Sequence, residues 1–155
     1  MNIITMPRVR LSMTPVFIKW IVFFALIFRV DIPLAEGLVI IANPSVPVST
    51  LTSQELNNIY TGKIKLWDNG EHIVVVFSKQ KDTQINFLKS YINKTPSQFV
   101  NYWRNLIFTG KSSTIPKGLT NEDELITYVA LTKGAIGYVS ADRPLDKVKP
   151  ISINQ

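Results

Sequence analysis

Two stretches, GLVIIAN at 37–43 and HIVVVF at 72–77, are almost uninterrupted runs of aliphatic and aromatic residues, and each gives way within a few positions to the start of an amphipathic helix. A strand that is apolar on both faces belongs in a covered sheet. The first run ends at Pro44 and Pro47, which cannot extend a ladder. The pattern of covered strand, loop and helix predicts a three-layer α/β domain with a mixed or largely parallel sheet.

The helices announce themselves by their caps. Thr52 with Glu55 three positions on is a capping box, and Leu56, Ile59 and Tyr60 then form one apolar face before Gly62. Asp82 is placed to cap a second helix, with Ile85, Leu88 and Ile92 at helical spacing. Thr95 and Gln98 form another capping box with Pro96 at the first helical position, opening an aromatic helix through Phe99, Tyr102, Trp103 and Leu106 that stops at Gly110. Asn121 caps a helix whose first turn is acidic, with Leu125, Tyr128 and Val129 facing inward and Gly134 as its stop. AIGYVS at 135–140 reads as a third strand. VKPISI at 148–153 reads as a fourth, expected at an edge because Pro150 lacks an N–H.

The first 35 residues stand apart. Arg8, Arg10 and Lys19 precede the apolar run 20–28, the layout of an export signal, and small Ala35 suggests cleavage before Glu36. The run is short against the roughly 20 apolar residues that cross a bilayer; an uncleaved anchor is the alternative. The expected division is thus a signal peptide at 1–35 and one domain at 36–155, located in a periplasm or outside the cell.

The leader also distorts the charge. It holds four basic residues and one acidic, which leaves 13 basic against 10 acidic of the 17 and 11 in the whole chain, a net +3. No long basic stripe remains to suggest nucleic-acid binding. The chain has no cysteine, so disulfides, thiolate catalysis and zinc–thiolate sites are excluded. His72 stands alone in a polar turn, and the acidic residues Asp68, Glu71 and 122–124 read as turn and helix-start residues. No nucleophile elbow is present, so neither an enzyme nor a cofactor is expected.

Several longer pieces carry a resemblance: IYTGKIKLWDNG at 59–70, IVVVF at 73–77, FVNYWRNLIFTGK at 99–111 and YVALTKGAIGYVS at 128–140. In order and spacing they resemble the phosphate-binding components of ABC transporters, in particular short single-lobe members. The resemblance implies a type 2 periplasmic-binding-protein fold, in which Gly62 closes its helix at positive φ and Trp67 folds back as a hydrophobic plug before the turn at 68–70. It also implies phosphate or another oxyanion as ligand, held by helix N-termini, hydroxyls and an arginine, and an ABC permease as partner.

The loop after the second strand, FSKQKDTQINF, departs from the family pattern of an arginine followed by Ser-Gly-Thr. Phe77 stands where the arginine would be, and Lys81, Asp82 and Thr83 stand where Ser-Gly-Thr would be, so only Thr83 is kept. The candidate ligand-binding residues in this loop are Ser78, Lys79, Lys81, Thr83 and Gln84, with the lysines as mobile point charges in place of a guanidinium fork. Asn43 and Ser45, after the first strand, are further candidates, with turn formation beside Pro44 as the competing reading. Gly134 and Gly137 read as a helix stop and close packing. The aromatic stripe of Phe99, Tyr102, Trp103 and Phe108 reads as core, or, with Arg104, as an interface anchor.

Two functions fit these residues. One is a periplasmic solute-binding protein for phosphate or another oxyanion. The 120 residues from Glu36 make one lobe, which binds only weakly unless a second copy completes the cleft as a homodimer. The other is an envelope accessory protein that keeps the fold as an interaction surface and has lost phosphate binding.

Overall fold

The structure, a computed structural model, describes residues 37–113 and 115–154. The leader assigned to 1–35, and its cleavage, lie outside the described residues. Among the described residues no helix is long and apolar enough to cross a membrane.

The chain runs β1 (Leu38–Ala42), β2 (Thr50–Thr52), α1 (Ser53–Tyr60), β3 (Val74–Ser78), α2 (Lys81–Phe87), a π-helical turn (Leu88–Ile92), α3 (Pro96–Phe108), β4 (Lys117–Leu119), α4 (Glu122–Leu131), β5 (Ala135–Ser140) and β6 (Lys149–Asn154). The strands form one mixed sheet in the order β2-β6-β1-β5-β3-β4. β3, β4 and β5 run parallel to one another, while β1 is antiparallel to both of its neighbours, β5 and β6.

The two-fold side-chain alternation of the strands divides the core between two faces. Ile40, Ala42, Phe77, Ile136 and Tyr138 point to one side, where α1, α2 and α3 bury Leu56, Tyr60, Phe87, Phe99 and Trp103 against them. Ile41, Val76, Ala135 and Val139 point to the other, covered by Leu125, Ile126 and Val129 of α4. This is why the apolar runs are continuous. On the first face Phe87 stacks on Tyr138 at 3.7 Å between ring centroids and meets Tyr60 at 4.6 Å, spacings at which aromatic pairs add to area burial.

Both capping boxes form. Thr52 accepts from the Glu55 N–H while Glu55 accepts from the Thr52 N–H, and Thr95 and Gln98 make the same reciprocal pair. Asn121 caps α4 by accepting from Asp123 N and Glu124 N. Asp82 does not cap its helix: the cap position belongs to Gln80, which makes no side-chain cap bond, and Asp82 lies inside the first turn. Ile85 is exposed rather than inward, because the buried line runs through Thr83, Phe87, Leu88 and Ile92, stepped across by the π-helical turn. At the far end of α3, Phe108 is 89% exposed and outside the core expected of it.

β6 is internal, not an edge. Ser152 N donates to Ser49 O at 3.0 Å, so alternate N–H groups of β6 face β2, and Pro150 belongs to that set. β2 begins to pair only at Ser152, so the donor missing at Pro150 faces a position the ladder does not reach. The edges are β2 and β4, each three residues long, too short to show in the sequence.

Trp67 is buried, as the resemblance implies, and its indole N–H donates to Gly134 O at 3.0 Å. Gly134 has φ +68°, and a Cβ there would lie 2.2 Å from His72 O, so no side chain fits the crossing where the Trp67 turn meets the entry to β5.

Candidate functional site

The carboxyl ends of β3, β4 and β5 lie at one edge of the sheet, where open α/β sheets place ligands. Ser78 ends β3 fully buried; its hydroxyl accepts from Gln80 N at 3.1 Å and its carbonyl from the Tyr138 hydroxyl at 3.3 Å. Burial pushes the Tyr138 phenol well above its ordinary range, so it serves as a neutral donor. Lys79 N donates to Leu119 O at 2.7 Å, holding the loop against the end of β4. The side chains of Lys79, Lys81 and Asp82 are exposed, and Gln84 is half-buried.

Thr83 turns inward. Its hydroxyl donates to Glu122 Oε1 at 2.9 Å and lies 3.3 Å from Ser140 Oγ. Glu122 opens α4 and is 1% exposed. The same Oε1 accepts from Ser140 Oγ at 3.0 Å and Ser140 N at 3.3 Å, while Oε2 accepts from Arg143 Nε at 3.1 Å. Arg143 also reaches Asp123 at 3.4 Å, and its guanidinium is held further above its ordinary value by the bond to Glu122 and by the charge of Asp123.

Two hydroxyls, a backbone N–H and a guanidinium therefore converge on one point, a set of donors suited to an oxyanion. The chain's own carboxylate occupies that point. The sequence reading placed Glu122 only as a helix-start residue and did not single out Ser140 or Arg143. Nothing local could have joined them, since Thr83, Glu122 and Ser140 come from three elements that meet through the sheet.

The candidates fall at two opposite ends of the sheet. Ser78, Lys79, Lys81, Thr83 and Gln84 share the edge just described. Asn43 and Ser45 follow β1, which runs the other way, so they lie by the start of β5, where Asn43 N donates to Ala135 O at 2.9 Å. Asn43 is buried, and its amide donates to Val129 O at 2.8 Å and Ala130 O at 2.7 Å, closing the carbonyl end of α4. Its Oδ1 accepts from Ser45 N, and the Ser45 hydroxyl links Glu71 to Gly134 N. These bonds match the turn-forming reading.

The fold is that of a single α/β lobe built on one mixed sheet. The sequence matches a PBP superfamily domain over residues 33–152, and the chain belongs to that superfamily. Among solved structures it is similar to a phosphate ABC transporter substrate-binding protein of Clostridium perfringens with bound phosphate, at 22% identity and a TM-score of 0.60 over 76% of this chain and 44% of that one. It is also similar to an ABC-type phosphate transport receptor of Vibrio cholerae (21%, 0.50; 76% and 46% covered) and to PstS of Borrelia burgdorferi (20%, 0.52; 77% and 47% covered). The chain spans less than half the length of these proteins, and at such identities the likeness is one of fold. No curated protein matched the chain.

Proposed function

We propose that the chain works in the cell envelope as an exported lobe of the solute-binding type, akin to the phosphate-uptake components, and that it acts by contact with another envelope protein rather than by capturing free phosphate. The observation that carries this reading is Glu122. Thr83, Ser140 and Arg143 already direct their donors at a buried carboxylate, and a free oxyanion brought to that point would meet a like charge in a poorly solvated place.

The uptake reading, in which the lobe binds phosphate or another oxyanion and passes it to an ABC permease, a second copy completing the cleft, is favoured by one specific feature. Lys79 and Lys81 are exposed beside Ser78 and Gln84, and neither is paired with an acid among the described residues.

Calorimetry of the full chain against phosphate and sulfate, at low and moderate salt, separates the two. No binding heat from the natural chain or from Asp82→Gly, which removes the nearest exposed negative charge, is the outcome expected for a protein-contact lobe. Binding that is screened by salt and weakened by the double change Lys79→Ala, Lys81→Ala would overturn that reading in favour of uptake.

A further inference from the structure

At the opposite end of the parallel strands from Glu122, the sheet leaves a gap. β4 pairs with β3 only from Val76 onward, so Val74 and Val75 open onto a cleft of about 1180 Å³. Its walls carry Lys63, Lys65, Lys111 and Lys117 and no acidic residue. Arg143 makes the ion pairs found among the described residues, so none of these ammonium groups is matched by a carboxylate there. Two of them are held in place: Lys65 Nζ donates to Lys111 O at 2.9 Å, and Lys117 Nζ lies 4.1 Å from the centroid of the Tyr128 ring.

The lining also carries apolar groups, Tyr102, Trp103 and Leu106 among them, beside polar residues such as Thr61, His72 and Ser113. Trp103 is 6% exposed and its indole N–H has no hydrogen-bond partner, although buried tryptophans usually find one. Ile115 lines the cleft and is 42% exposed.

We propose that this cleft docks an acidic segment of a partner protein, one that sets carboxylates around a large apolar side chain. The apolar side chain would rest against Tyr102 and Trp103 while the carboxylates meet the unpaired lysines. An inorganic anion leaves the apolar lining unused, and a cation is repelled by four lysines. The partner class rests on the reading of the chain as a protein-contact lobe, whereas the site itself is independent of Glu122.

The test titrates the full chain into a fluorescent peptide of about twelve residues, with glutamates flanking a phenylalanine and a leucine, and into its counterpart with glutamine at every glutamate. Saturable anisotropy with the acidic peptide alone is expected, weakened about tenfold by the double variant Lys63→Glu, Lys111→Glu. Both positions are exposed, so that variant should keep its melting midpoint. The Trp103 indole N–H resonance, assigned by its loss in Trp103→Phe, should shift on titration. Equal binding of the glutamine peptide, or indifference to the charge reversals, would overturn the proposal. So would binding to phosphatidylglycerol vesicles without peptide binding, or self-association that Phe108→Ser abolishes while the acidic peptide does not bind. Phosphate binding at 78–84 would defeat the reading built on Glu122 and leave each of these readouts where it was.

Discussion

Replacing Glu122 tests whether its carboxylate organises the end of the sheet. The side chain is 0% exposed, while its partner Arg143 is 35% exposed, so the pair is buried on one side only. Glu122→Gln keeps an oxygen for Thr83 and Ser140 but turns an NH₂ toward the Arg143 Nε–H, replacing a charge-assisted bond by two opposed donors. Such bonds contribute about 1.5–3 kcal/mol, and the half-wet guanidinium can turn to water, so we expect a loss of about 2 kcal/mol. Glu122→Ala also leaves the two hydroxyls with only each other and creates a void, for an expected loss of about 3 kcal/mol, the lower end of the range for breaking a buried pair. Arg143→Ala should cost less than either, since Oε1 keeps its three bonds. Urea melts of the full-length variants at neutral pH measure all three from midpoints at constant slope. A Glu122→Gln midpoint equal to that of the natural chain, or an Arg143→Ala loss larger than that of Glu122→Ala, would refute the assignment of the carboxylate as the organising group.

Trp67→Ala should destabilise the fold by about 3 kcal/mol, as expected for truncating a buried large aromatic, and Trp67→Phe by about 1 kcal/mol for the lost bond to Gly134 O; denaturant melts in which the two cost the same would show that ring burial contributes little. The Glu55 carboxyl is held below its ordinary value by the backbone N–H and then the hydroxyl of Thr52. Its charged form therefore adds stability that is fully present above the unfolded glutamate value of about 4.3 and is lost as pH falls through the lower folded value. Glu55→Gln, which keeps the box in the form Gln98 already uses, should be slightly less stable than the natural chain at neutral pH and equal to it in acid, as pH-dependent thermal melts will show. Intact-mass analysis of the exported form should find a chain beginning near Glu36, and a mass retaining 1–28 would support the anchor instead.

The elements legible in the sequence were those whose causes are local. Capping boxes at Thr52 and Thr95 and the Asn121 cap each act within three residues, and the continuous runs at 37–43 and 72–77 follow from helices on both faces. What failed depended on something distant. Pro150 was read as an edge residue because its N–H is missing, but an edge is fixed by where the neighbour begins, and β2 starts just past it. Asp82 looked like a cap because capping residues also favour first turns, where the helix dipole welcomes a carboxylate without any side-chain bond. β2 and β4 left no periodicity to find, since three residues make barely more than one alternation.

The site divides along the same line. Ser78, Lys79, Lys81, Thr83 and Gln84 were drawn from one loop, and a loop stays together in space whatever the fold. Asn43 and Ser45 were added on the premise that binding loops follow strands at one edge, which holds only for strands pointing the same way. β1 is antiparallel to β5, so the two groups part to opposite ends. The same geometry hid the buried carboxylate: Glu122 is one of three consecutive acids at the start of α4, and in sequence all three look like solvated partners of a helix dipole. Only the sheet distinguishes them, because α4 covers the face that places position 122 over Ser140 and Thr83, while Glu124 stays exposed and Asp123 reaches only the outer side of Arg143. A charge that one element supplies and two others satisfy becomes visible only when the strand order is known, which is why Glu122 reads in the sequence only as a helix-start residue.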